Sequence, residues 1–314
     1  MANTVKWNTG DIPDQSGRRA VVTGANSGLG IATVDALARA GAHVVLAVRD
    51  VRRGEAAAAS VVASVAGGKG SVEVRRLDLA DLASVREFAA GWEGELDLLV
   101  NNAGVMNLPE GTTADGFETQ FGTNHLGHFA LTNLLLPHLT DRVVTVASGM
   151  HKYPGNRIHF EDLNLRRGYH PVRAYAQSKL ANLLFTLELQ RRLTAAGSTV
   201  RALAAHPGYA ATNLQGHDGS AVRRALMAIG NRVVAQDSRS GALPSLYAAT
   251  MDLPGASYVG PDGFAEGRGA PTLVGRSTAA SDPETAARLW VESERLTGTA
   301  FPAAEPDSGR PSAV

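Results

Sequence analysis

The chain has 314 residues, 44% hydrophobic and 19% charged, and its 30 basic and 30 acidic side chains give a formal net charge of zero. Such a length can bury a sizeable core, as one generous α/β domain or two smaller ones, and the balanced charge speaks against nucleic acid or an anionic membrane as partner. With no cysteine, disulfides, thiolate catalysis and cysteine-ligated zinc are excluded.

Residues 1–17 read as a polar arm, with Trp7 and Ile12-Pro13 as anchors. The arm lacks the apolar centre of a signal peptide. No run in the chain approaches the roughly 18 apolar residues of a membrane span, so a soluble, cytoplasmic protein is expected. Ala20 to Thr23 is a short β-branched strand, followed by T-G-A-N-S-G-L-G at 23–30 and by Ile31, Val34, Leu37 and Ala38 at helical spacing. Strand, glycine turn and helix in that order suit a pyrophosphate. Gly24 allows the tight turn, Gly28 a close backbone approach and Gly30 close packing of helix on strand. The helix start then offers unpaired N–H groups and partial positive charge. A glycine triad alone is weak evidence in a chain with 34 glycines, but here both flanking elements are present.

His43 to Val48 is a second strand, ending at Arg49-Asp50. An alanine-rich helix covers 51–66, and a third strand, Ser71 to Leu77, ends at Asp78-Leu79. A helix at Asp81 to Trp92 precedes a fourth strand, Leu96 to Val100, and then Asn101-Asn102-Ala103-Gly104. A helical region is expected over about 113–138, then a fifth strand, Val143 to Ala147, ending at Ser148. Val172 to Leu193 is a long helix, and Val200 to Ala205 a sixth strand ending at His206-Pro207-Gly208. These alternating units imply a doubly wound parallel sheet with helices on both faces. Its strands would gather Arg49, Asp78, Asn101, Ser148 and Pro207 at their carboxyl ends, where such sheets bind ligands. Beyond 208 the pattern loosens. A polar, glycine-flanked loop at 208–219 precedes an amphipathic helix at 222–233, and Asp282-Pro283-Glu284 starts a helix that ends near Gly298. The organisation read from this is one domain over 18–300 and a mobile tail over 301–314.

Tyr175 and Lys179 lie four apart on the long helix and share a face. A phenol titrates near 10; bringing it to about 7 takes roughly 4 kcal/mol, which an adjacent ammonium and an oxidised nicotinamide together can supply. By themselves the pair are an ordinary helix surface.

Together with the other segments they are specific. The chain resembles the short-chain dehydrogenase/reductase family over roughly residues 17–260, through T-G-A-N-S-G-L-G at 23–30, Asp78-Leu79, N-N-A-G at 101–104, Asn124 in T-N-H-L-G-H-F, Ser148, Y-A-Q-S-K at 175–179 and H-P-G-Y at 206–209. The resemblance implies a Rossmann-type fold and a nicotinamide cofactor, held by Gly24, Asn26, Ser27, Gly28, Leu29, Gly30, Asp78, Leu79, Asn101, Ala103, Gly104, Tyr175, Lys179, Pro207 and Gly208. It also implies Tyr175 as general acid/base and Ser148 on the substrate oxygen. Lys179 would hold the nicotinamide ribose and lower the tyrosine, and Asn124 would position a relay water. Hydride transfer itself belongs to the cofactor. Ser148 precedes Tyr175 by 27 residues, about twice the common spacing, and the extra stretch with F-E-D-L-N-L resembles the branch of retinol dehydrogenases, the WW-domain oxidoreductase and protochlorophyllide reductases. L-W-x-x-S-E-x-L-T-G at 289–298 resembles it too. Retinol dehydrogenases of vertebrates often carry a membrane anchor, which the apolar pattern here does not supply.

Where an NAD site usually has a carboxylate, this sequence has Val48 and then Arg49, which suits a 2′-phosphate. NADP(H) is therefore expected over NAD(H), with Asp50 turned away or capping the next helix. The nine histidines show no metal pattern; His125 and His128 belong to a buried helix. Asp81 caps a helix and Asp78 contacts adenine. Leu180, Leu183, Leu184 and Leu187 form a face that is either core or the seam of a homodimer. Val105-Met106, 149–171 and 209–235 are expected to wall a hydrophobic pocket, so the substrate is expected to be a hydrophobic carbonyl compound or alcohol. A non-enzymatic NADP(H)-binding sensor is the alternative, set against by the full set Asn124, Ser148, Tyr175 and Lys179.

Overall fold

The computed structural model describes residues 6–65, 67–208 and 237–302. The expected loop after Gly208, the helix at 222–233 and the tail beyond 302 lie outside them. Among the described residues one sheet of eight strands runs β3-β2-β1-β4-β5-β6-β7-β8. Its strands are β1 (Arg19–Thr23), β2 (His43–Val48), β3 (Ser71–Arg76), β4 (Leu96–Asn101), β5 (Leu139–Val146), β6 (Arg201–Ala205), β7 (Tyr258–Pro261) and β8 (Pro271–Leu273). All neighbours pair parallel except β7 and β8. Strand order reverses between β1 and β4, which opens a crevice at their carboxyl ends.

The two-residue period of the strands sorts their side chains between two cores. Val21, Val45 and Leu99 face a cluster completed by Phe88, Phe129, Phe185 and Trp290. Ala20, Val22, Val44 and Leu46 face the other, with Val34, Leu37, Val61 and Leu246. The first face is covered by α3 (Leu82–Ala90), α5 (Gly127–Leu135), α6 (Pro171–Ala195) and α8 (Pro283–Thr297); the second by α1 (Gly28–Arg39), α2 (Val51–Ser64) and α7 (Ser238–Thr250). Aspartates start four of these helices: the carboxylates of Asp50, Asp81, Asp237 and Asp282 each accept a backbone N–H of the first turn. The arm is anchored as expected, Trp7 meeting Tyr247 edge-on at 5.2 Å.

One reading is corrected. The stretch 113–138 is not helical throughout: Thr112 bridges Glu118, α4 is only Thr119–Phe121, and a π turn at Gly122–Leu126 leads into α5. The π turn carries Asn124 and leaves it buried. α7, β7 and β8 had no reading at all. Of the two alternatives for the leucine face of α6 the structure shows core, with Leu180, Leu183 and Leu184 buried in a third cluster and Leu187 packed against it. No helix among the described residues is long and apolar enough to cross a membrane.

Candidate active site

The crevice has a volume of about 490 Å³, and the β1–α1 turn forms its floor. Gly24 adopts φ +64°, and a Cβ there would lie 2.9 Å from the Cα of Ala103. A Cβ on Gly30 would lie 2.5 Å from the Gly24 carbonyl oxygen. Only glycine lets these backbones meet. Ser27 occupies the N-cap of α1 without a side-chain bond to it, so the first N–H groups of the helix point at the crevice with no side-chain cap. Asn26, Ser27, Gly28 and Leu29 line the same floor. Thr23 ties the floor to the next strand: its Oγ1 accepts the N–H groups of Asn102 and Ala103, each at 2.9 Å, and meets His128 Nε2 at 2.9 Å. Burial lowers His128 to about 4. A neutral ring then donates from Nδ1 to the Asn124 carbonyl, 3.0 Å away.

Arg49 at the end of β2 is exposed and lines the crevice together with Arg53, one turn into α2. Asp50 caps α2 through the Arg53 N–H at 3.2 Å and pairs with the Arg53 side chain at 3.5 Å. At the end of β3, Asp78 and Leu79 form the opposite wall. Asp78 accepts the Ala80 N–H, and Asp81 caps α3 through Ala83 and Ser84. Ala103 and Gly104 close the far end. An uncapped helix start, a floor that excludes Cβ atoms and two guanidinium groups at one end fit a dinucleotide.

Three residues expected to contact the cofactor, Asn101, Pro207 and Gly208, do not line this crevice. Asn101 is fully buried, its Nδ2 donating to Thr132 and Thr145 at 2.9 and 3.4 Å; Asn102 lines the crevice instead. One residue along a strand changes the face. Pro207 and Gly208 follow β6, and a Cβ on Gly208 would lie 2.5 Å from the Gly267 carbonyl oxygen.

Gly104 joins the crevice to the polar group beyond it. A Cβ there would lie 3.4 Å from Asn124 Oδ1 and 3.5 Å from Lys179 Nζ. Lys179 is 3% exposed; its ammonium donates to the Val146 carbonyl at 2.9 Å and stands 5.8 Å from the centre of the Tyr175 ring. Burial lowers it to about 8. The Tyr175 phenol is pushed up by burial, and a hydrogen bond with Ser148 works against that rise. Ser148 is half-buried, its Oγ accepting the Met150 N–H at 3.2 Å. The Asn124 side chain is a strap, not a free water ligand: Oδ1 accepts from Val105 N at 2.8 Å, and Nδ2 donates to Val105 O and Ser178 Oγ, both at 2.9 Å. A relay water would have to use its main-chain carbonyl. No group of three or more metal-ligating side chains occurs among the described residues.

The sequence reading missed Arg53, Asn102, Thr23 and His128. The i+4 step from Arg49 across a helix start was the available signal for Arg53.

The family model for short chain dehydrogenase matches residues 18–223. Human retinol dehydrogenase 13 is 43% identical over 301 residues, 91% of this chain and 86% of that protein. Polyprenol dehydrogenase of Mus musculus shows the same identity, length and shares. A crystal structure of an uncharacterized protein from Mycobacterium Paratuberculosis is 56% identical, with a TM-score of 0.82, covering 95% of this chain and 100% of the other. The glycine-floored crevice, the Ser148–Tyr175–Lys179 group and these likenesses agree: the chain belongs to the short-chain dehydrogenase family of NAD(P)-binding oxidoreductases, in its retinol dehydrogenase-like branch.

Proposed function

We propose that this protein interconverts a hydrophobic alcohol and its carbonyl compound with NADP(H), using Tyr175 as the general acid/base. The observation that carries the reading is the join at Gly104, where the glycine-floored crevice meets Lys179, whose ammonium stands 5.8 Å from the ring of Tyr175, itself hydrogen-bonded to Ser148. A bound nicotinamide supplies the redox chemistry. In the reducing direction the Tyr175 hydroxyl gives its proton to the substrate oxygen while the Ser148 hydroxyl donates a hydrogen bond to that oxygen. In the oxidising direction Tyr175 takes the proton back. The Lys179 ammonium, within Coulombic reach, favours the phenolate that forms in between. Arg49 and Arg53 favour a 2′-phosphate, and Asp50 is occupied with the start of α2 and with Arg53. The apolar side chains of Val105 and Met106, half-buried beside Gly104, support an apolar substrate, as do relatives named for retinol and polyprenol.

The test is kcat/KM with NADPH across straight-chain aldehydes of increasing length, with retinal and a short polyprenal alongside. Each buried methylene is worth up to about 0.8 kcal/mol, so the ratio should climb before levelling. A flat or falling series would remove the apolar substrate and leave the family assignment standing.

A further inference from the structure

The stretch between Ser148 and Tyr175 is bonded back to both of its ends. Beyond β5 the chain makes a 3-10 turn at Gly149–Lys152. From that turn the His151 ring meets the Ser148 carbonyl oxygen through Nδ1 at 2.7 Å. Its Nε2 accepts the Ser277 N–H at 3.3 Å, from the segment leading to α8. A nitrogen that accepts a backbone N–H has no proton of its own, so Nδ1 carries the hydrogen and donates it to Ser148. The ring is 1% exposed and lies edge-on to Tyr258 at 5.6 Å. Lys152, Glu266 and Arg276 are the charged groups around it, with His206 as a further titratable neighbour. Burial outweighs the pull of Glu266 and keeps the ring below the ordinary histidine range.

The second tie runs to the helix. Asn156 Nδ2 donates to the His151 carbonyl at 3.3 Å and to the Ala176 carbonyl at 2.9 Å. Ala176 follows Tyr175 on α6. A chain of bonds therefore runs from the Ser148 carbonyl through His151 and Asn156 to the residue beside the tyrosine, bypassing most of the intervening backbone.

We propose that His151, acting with Asn156, is a positioning residue that fixes Ser148 against Tyr175, so that the long insertion serves the site as a brace. The proposal rests on the reading of Ser148 and Tyr175 as the groups that meet the substrate oxygen. His151 touches neither hydroxyl; it holds the peptide from which the Ser148 side chain projects. That peptide is extended, at φ −160° and ψ 153°, and without the ring its carbonyl keeps only the His151 N–H, at 3.1 Å. Rotation of the peptide would swing Oγ away from the phenol.

The experiment compares Ser148→Ala, His151→Leu, His151→Asn, Asn156→Ala and the double variant Ser148→Ala/His151→Leu by kcat, KM, NADPH affinity and the pH profile of kcat. His151→Leu should lower kcat about ten- to a hundredfold, the scale of an ångström-sized misplacement, with NADPH affinity unchanged. It should also move the Tyr175 limb of the profile to higher pH, in the same direction as Ser148→Ala. His151→Asn keeps a donor near the Nδ1 position and should recover most of kcat. In the Ser148→Ala background the leucine change should cost little, since two residues acting through one hydroxyl are not additive. Should the leucine variant fail to fold, Asn156→Ala carries the same test from the other tie, with a smaller loss in the same direction. Equal losses of His151→Leu in both backgrounds, or wild-type kcat and profile in His151→Leu and Asn156→Ala while Ser148→Ala is impaired, would overturn the brace alone. Wild-type kcat in Ser148→Ala would take down the reading of the site, and the brace with it.

Discussion

The two halves of the site are built from different materials. The crevice half is mostly backbone. Its shape comes from a turn at Gly24, the helix start at Ser27 and a contact between Gly30 and Gly24, all within eight residues. The half proposed to react is side chains delivered from the turn after β5, from α6 and from the π turn at Gly122–Leu126, with Asn124 and Lys179 held by a hydroxyl and a carbonyl of other elements. Backbone can be set up locally, at little desolvation cost, since a phosphate site wants exposed N–H groups. A functional lysine and phenol need a dry, rigid surround. The molecule accepts the cost of burying Lys179 there.

Lys179→Met tests that cost and should have the largest effect. Turnover should fall by a factor of about 10² to 10⁴, the usual range for a group that supports acid/base chemistry. Stability should move the other way. The Lys179 pKa in the folded chain, about 8, lies below its ordinary 10.5. From pH 8 to 10.5 the unfolded chain therefore binds more protons than the folded one, and stability gains with rising pH. Below pH 8 the whole penalty is present, about 3 kcal/mol at 1.36 per pKa unit. Denaturant unfolding without cofactor should show wild type gaining stability from pH 8 to 10, and the methionine variant starting higher and lacking that rise. An unchanged slope in the variant would mean that Lys179 is not the group being desolvated.

Arg49→Ala should touch the crevice half alone. Losing a charge-assisted contact to phosphate costs about 1.5–3 kcal/mol, or roughly ten- to a hundredfold in affinity. NADPH should weaken by that factor, NADH should not, and kcat at saturating cofactor should hold. Titration of both cofactors into wild type and variant decides it. Equal affinity of wild type for the two would remove the NADP(H) preference.

Gly30→Ala is the smaller test of the same half. Its Cβ would sit 2.5 Å from the Gly24 oxygen, and forcing an added methyl into a packed contact costs about 1–3 kcal/mol. A lower unfolding midpoint and weaker NADPH binding should appear together. Full binding in the alanine variant would mean that the turn relaxes at no cost.

This division also explains what the sequence made legible. β1, β2 and α1 could be read closely because alternation, helical period and glycine spacing are local patterns, and β2 was read to its terminal residues, His43 and Val48. α7 could not, since Gly241 and Pro244 interrupt its pattern and only burial against α1 and the sheet overrides them. β7 and β8, four and three residues long with Gly260, Pro261 and Pro271 among them, carry no strand signal of their own. In the site, Asn101 and Asn102 are adjacent in one motif, and only strand register decides which reaches the crevice. The ties made by Asn124, His128 and His151 are invisible in spacing, because each partner comes from another element.

The central claim is that binding belongs to the crevice and proton transfer to Tyr175, and Tyr175→Phe tests it most directly. NADPH affinity, followed by fluorescence titration, and kcat on the best aldehyde would be measured on the same preparation. The account predicts affinity within about twofold of wild type and kcat lowered by a factor of about 10² or more. A phenylalanine variant that keeps wild-type kcat, or one whose NADPH affinity falls as far as its kcat, would contradict it.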